Sequence, residues 1–198
     1  MRHGAPETEN PRQSGHGREV RGIASAYTLA MNDSRNIARL LVRELKGFQR
    51  EILLFPDDAT VWATLPGIAN SAGNLALHLA GNLRDFVGRA LGGVPYVRDR
   101  DDEFGRRAGS REEVVAALEA AIGAVEQTPL DHLEGEFPER PGGYRLEMWL
   151  FLMHLCTHAA YHLGQAGYLR RALTGDTRTS GALSLRDVQI PSTSTRDD

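Results

Sequence analysis

Seven histidines are the residues in this chain whose types and spacing can do chemistry. His154, His158 and His162 lie four apart in Leu152-Met-His-Leu-Cys-Thr-His-Ala-Ala-Tyr-His-Leu-Gly-Gln165. On a helix each stands one turn above the last, about 40° round the axis from its neighbour. His78 sits in a second apolar segment, Asn74-Leu-Ala-Leu-His-Leu-Ala-Gly-Asn82. His3, His16 and His132 fall outside these segments. Burying an imidazole without a partner costs roughly 1–3 kcal/mol, so three on one apolar face need a reason. A divalent metal is one, because two histidines at i and i+4 reach a single ion. A hydrogen-bonded core ladder is another. His154 and His162 are about 12 Å apart along the axis. All three would therefore reach one ion only at full stretch, and an adjacent pair plus a third ligand is easier. His78, from the other segment, is the natural third, and its presence favours metal.

Neighbouring residues suggest supporting parts. Asn74 and Asn82 flank His78 at four residues either side, share its face, and suit hydrogen bonds to a ligand or to the residues that support one. Gln165, three residues past His162, suits the same role. Cys156 is off the histidine stripe and reads as a small buried residue rather than a nucleophile. Arg84 reads as a salt-bridging residue before a substrate contact. Tyr161 reads as packing or dimer contact, and Trp62 and Trp149 as core or interface anchors. The run Arg98-Asp-Arg-Asp-Asp-Glu103 reads as a solvated loop flanking the site mouth.

Four periodic segments must position these residues, and no strand pattern competes with them. Ile37, Leu40, Leu41, Leu45, Phe48 and Ile52 recur at helical spacing, with Asn32, Asp33 or Ser34 as cap and Pro56 as stop. A linker with Pro56 and Pro66 follows. The second segment runs from about Ile68 to Leu91, through Leu75, Leu79, Phe86 and Val87, to Gly92-Gly93. A polar loop from Tyr96 to Gly109 comes next. Ser110 and Glu113 form a capping box by spacing and open the third segment, with Val115, Leu118, Ile122 and Val125 on its stripe and Pro129 at its end. The longest segment runs from Tyr144 to about Leu173 and closes at Gly175. Four amphipathic helices are most simply satisfied as an all-α four-helix bundle over residues 31–175. Residues 1–30 read as a disordered extension, with Met31 a candidate natural start. Residues 176–198 read as a tail that orders only by docking.

Composition narrows the function classes. The chain has 198 residues, 23 Lys plus Arg against 26 Asp plus Glu, and a net charge of −3. That balance argues against nucleic acid as a main partner. No apolar run reaches the roughly 18 residues of a membrane span. The single cysteine excludes an intrachain disulfide and multi-cysteine metal sites, and a cytoplasmic protein is the default expectation.

The segments Asn74-Leu-Ala-Leu-His-Leu-Ala-Gly-Asn-Leu-Arg84 and His158-Ala-Ala-Tyr-His-Leu-Gly-Gln165, in that order, resemble the DinB-like (DinB/YfiT-like) superfamily. The resemblance covers roughly residues 33–174. It implies an up-down-down-up four-helix bundle, a homodimer, and a divalent metal held by three histidines. Carried over, the ligands are His78, His158 and His162, because Gly164-Gln165 sets the register, and His154 is left beside them. Leu163 stands where many members carry Arg, so no role is transferred to that position. Three neutral imidazoles leave a doubly charged cation with open positions, the pattern of catalytic metal. Nitrogen ligands suit Zn or Ni. Such a cation favours a thiolate or hydroxide nucleophile. Relatives imply a thiol-dependent S-transferase or hydrolase-type enzyme with a small-molecule substrate. The competing expectation is a non-enzymatic bundle that binds metal or a small ligand in stress response.

Overall fold

The apolar stripe of the first periodic segment is the wall of a single core. Ile37, Leu41, Leu45, Phe48 and Ile52 are each at most 1% exposed, and burial of each such side chain contributes about 1.5–3 kcal/mol. The computed structural model describes Met1 and residues 16–131, 133–182 and 184–189, with side chains continuously from residue 35. Helix α1 spans His16–Leu53 and stops short of Pro56, as expected. It starts far ahead of the Asn32–Ser34 cap position. Residues 16–30, expected as an extension, therefore wind into the same helix. The stretch from Ile23 to Lys46 holds no Gly or Pro to interrupt it.

The linker carries a one-turn helix, α2 (Asp58–Val61), capped by Asp57, whose Oδ1 accepts from Thr60 N at 2.8 Å. Helix α3 (Ala72–Leu83) begins four residues later than the Ile68 expected. The reason is local: Ser71 Oγ accepts from Asn74 N while Asn74 Oδ1 accepts from Ser71 N. Beyond Leu83 the winding loosens into a π-helix, Arg84–Arg89, with Ala90 N reaching Asp85 O and Gly92 N reaching Val87 O. Gly88 lets this wide turn lie against α5, since a Cβ there would meet Ala124 Cβ at 2.8 Å.

The polar loop contains helix α4 (Arg100–Gly105), capped by Asp99. Helix α5 (Arg111–Gln127) opens on the Ser110–Glu113 capping box, as expected. Its stripe is as expected at Leu118, Ile122 and Val125, which are buried, but at the helix start Val114 is buried and Val115 only half-buried against the core. Helix α6 (Met148–Thr174) starts after Tyr144 because residues 144–147 run extended, with Phe137 N donating to Leu146 O at 2.8 Å. Gly175, at φ 70°, closes it in the left-handed conformation.

The described chain is helical, with no strand among the described residues beyond one isolated bridge, Glu136 to Glu147. Helix α1 packs against α5 and α6, and α3 packs against the same two, around one apolar core. The histidine-bearing helices α3 and α6 thus share an interface. Among the described residues no helix is long and apolar enough to cross a membrane. Trp62 is a core residue whose indole donates to Gly109 O, and Trp149 is partly exposed.

The segment after Gly175 docks, as its composition required for order. Arg170 is fully buried and its Nε meets Glu51 Oε1 at 2.5 Å. Its remaining donors reach Asp176 O and Arg178 O. Arg50 donates to Ser180 O, and Arg39 to Asp187 O and Gln189 O. Backbone carbonyls of residues 176–189 are thereby fastened to α1 and α6.

Candidate metal centre

Three imidazoles meet where α3 faces α6. His78 Nε2 lies 3.4 Å from His158 Nε2, which lies 2.8 Å from His162 Nε2. One nitrogen from each ring falls within 4.8 Å of the other two. The helix repeat brings His158 and His162 onto neighbouring turns, and α3 supplies the third ring from across the interface. His78 is buried and the other two are half-buried.

Partners on the far side of two rings decide where their protons sit. Glu103 Oε2, which can only accept, lies 3.0 Å from His78 Nδ1; Arg98 Nη2 lies 3.1 Å from the same nitrogen but donates to Glu103 Oε2 at the shorter 2.8 Å, so Nδ1 carries the proton. Burial would raise the Glu103 pKa, but hydrogen bonds from Arg98 and His78 outweigh it and hold the carboxyl below its usual range. Arg98 grips that carboxylate at both oxygens, at 2.7 and 2.8 Å. His162 Nδ1 donates to Gln165 Oε1 at 2.7 Å. Both rings therefore turn an unprotonated Nε2 toward His158. This arrangement, in which an outer acceptor orients a ring and raises its basicity, is what metal-binding histidines use. His158 has no such acceptor: its Nδ1 is buried without a partner among the described residues.

The donor set fits a divalent ion. Ligand bonds near 2.1 Å at tetrahedral angles put nitrogens about 3.4 Å apart. The His78–His158 spacing equals that, and the His158–His162 spacing is shorter by the reach of a ring-to-ring hydrogen bond. The two rings of α6 also favour the neutral form. Burial, then His162, His78, His154 and Arg98, push His158 down to about 4. Burial also lowers His162, against the hydrogen bond its ring donates to Gln165, which raises it.

This depression sets a pH dependence for the metal-stripped protein. Between about 6.5 and 4 the unfolded chain takes up a proton on His158 that the folded chain refuses. Folding stability is then whole above pH 6.5 and falls as the pH drops toward 4. Urea midpoints should decline over that window, and His158→Gln should flatten the decline. An unchanged slope in that variant would remove His158 as the source.

Other sequence-selected residues take different places. Asn74 acts one step back from the rings: its Nδ2 donates to Glu103 O and Arg106 O at 2.9 Å, tying α4, which carries the acid behind His78, to the start of α3. Asn82 is buried one turn beyond His78, with its Oδ1 unpartnered among the described residues. His154 is exposed, stacks between Phe151 and His158, and lines a separate cavity of about 400 Å³. Arg84 stacks on Tyr96, 3.9 Å from its centroid, and has no salt-bridge partner among the described residues. Tyr161 is exposed and Leu163 is core. His3 and His132 lie outside the described residues.

The residue that sequence reasoning missed is Glu103. Most of the supposed solvated run folds into α4 and delivers this acid to 4% exposure beside His78, with the Phe104 ring tilted against the same imidazole, centroids 4.7 Å apart. The available signal was Asp99 followed by three acidic residues, a helix start. Gly81 makes the room: a Cβ there would lie 2.0 Å from Glu103 Oε1. Gly81→Ala should push the carboxylate off His78 and weaken metal binding about 10–100-fold. Competition against a chromogenic chelator measures this, and wild-type affinity in Gly81→Ala would deny Glu103 its orienting role.

No curated protein and no solved structure matches this chain. A family described as a protein of unknown function, DUF1572, matches residues 33–185, which include all three converging histidines and part of the docked C-terminal segment. The chain belongs to that family.

Proposed function

We propose that this protein is a DinB-like metalloprotein: an up-down-down-up four-helix bundle that holds a divalent ion, Zn or Ni, on His78, His158 and His162. The observation that carries the reading is the convergence of three ring nitrogens within 4.8 Å, two of them presented by outer acceptors. Three protein ligands leave positions open. A cation bound there supplies Lewis acidity, lowering the pKa of bound water toward about 7 and favouring a thiolate over a thiol.

The chain's own residues do the rest. Arg98 neutralises Glu103, so the wall behind His78 adds no net charge of its own. Gln165 and Glu103 hold two rings in register. The nucleophile is external, because Cys156 is buried and pushed up to about 12 by burial and by Glu44. We therefore read the protein as a thiol-dependent S-transferase or a hydrolase-type enzyme acting on a small molecule. A cytoplasmic homodimer belongs to the same proposal; the apolar side chains exposed at Trp149 and Leu150 support self-association.

Elemental analysis of the purified protein, followed by turnover of monochlorobimane with low-molecular-weight thiols and hydrolysis of activated esters, tests this. About one ion per chain with metal-dependent turnover is expected. Bound metal without turnover would leave a non-enzymatic metal-binding bundle, and no metal would end the proposal.

A further inference from the structure

A cavity of about 650 Å³ opens beside His162, within the 300–1,000 Å³ range of small-molecule sites. Tyr161, Tyr168 and Leu169 of α6 form one wall, and Leu65, Ile68 and Leu75 form the other. His162 and Gln165 also line it, so it borders the three-histidine cluster. No Asp, Glu, Lys or Arg lines it. The lack is local. A second cavity, of about 540 Å³, is lined by Arg35, Arg39, Arg43, Lys46 and Arg50 on α1.

We propose that the cavity beside His162 binds an uncharged, largely apolar ligand that carries an aromatic ring. An ionised ligand would lose water there without gaining a counter-charge from the walls, which is costly. The tyrosine rings offer offset stacking, and their hydroxyls offer a few directional hydrogen bonds. Tyr168 is 80% and Tyr161 63% exposed, so large aromatic surface stands open in a concave setting. Gln165 uses its Oε1 on His162, which leaves its amide N–H groups to donate. The two neighbouring sites divide the work by charge: an anionic nucleophile belongs at the histidines and a neutral partner in the cavity. The inference rests on the proposed metal centre for the ligand's role as second substrate, whereas its binding requires only the cavity.

Fluorescence titration with neutral N-phenylnaphthylamine and with its anionic counterpart, anilinonaphthalene sulfonate, tests it on the full chain, both zinc-loaded and chelator-stripped. The neutral probe should saturate one site and bind at least about tenfold more tightly than the sulfonate to stripped protein. Ile68→Glu and Tyr168→Ala, both at exposed positions, should weaken the neutral probe at least about tenfold with unchanged circular dichroism. Equal affinity for the two probes, or variants that bind normally, overturns the inference. So does a face occupied by a second copy of the chain, seen as variants that dissociate a dimer in sedimentation while the wild type excludes the probe. Probe binding by a protein that takes up no metal would sink the proposed metal centre and leave the cavity assignment standing. Metal uptake without probe binding would do the reverse.

Discussion

His158→Ala is expected to empty the centre of metal while leaving the protein folded. Its Nε2 is the one that approaches both others, at 3.4 and 2.8 Å. Without it, one ring from each helix remains, and metal content should fall from about one ion per chain to background. The fold should tolerate the loss, because the same change removes a buried Nδ1 that has no partner. An unsatisfied buried polar atom costs about 1–3 kcal/mol, which offsets part of the cavity left by the ring. The thermal midpoint of His158→Ala should therefore stay near that of metal-stripped wild type. His78→Ala should lose metal equally, and Arg98 would still pair the stranded Glu103. His154→Ala should keep most of the metal, since that ring is exposed and stacked outside the cluster. Equal loss in His154→Ala with none in His162→Ala would move the ligand pair one turn up α6.

Arg170→Ala should be the most damaging single change to the fold. It leaves Glu51, at 1% exposure, as an unpaired buried carboxylate. Breaking one side of such a pair costs about 3–5 kcal/mol, a drop in Tm on the order of 10 °C for a chain of this size. It also frees Asp176 O and Arg178 O, so limited proteolysis should cut the segment after Gly175. The double variant Glu51→Leu/Arg170→Met separates these effects. It should regain most of the thermal stability, because no charge is left buried, yet stay protease-sensitive. Protease resistance in the double variant would mean that the segment is held by other contacts.

Much of this was legible from residue types and spacing, and the exceptions share a cause. Ile37 to Ile52 repeat at helical spacing and form a buried wall, and Ser110 with Glu113 marks the start of α5. The three histidines that converge come from the two segments singled out, and Gln165 does hold a ring. Periodicity could not reveal α4, because a six-residue helix with one buried side chain has no stripe to read. Glu103 escaped for the same reason: an acid in a run of acids looks solvated until its partners Arg98 and His78 are known. Nothing near Arg170 in the chain marks it as buried, and only Glu51, more than a hundred residues away, explains its burial. The onset of α1 and the burial of Val114 ahead of Val115 depend on tertiary fit, which local propensity does not encode.

The loosened winding at Arg84–Arg89 gives the centre a tolerance to chain length that its residue types lack. That stretch accommodates about one residue more per turn than ordinary winding does. Deleting one of its residues would let ordinary winding resume with the chain that follows still in phase. The acid that braces His78 arrives from that downstream side. A one-residue deletion 14 to 19 positions before Glu103 would thus leave the brace aimed at the ring, whereas the same deletion within the ordinary turns of α3, which hold no spare residue, would swing it by about 100° about the axis.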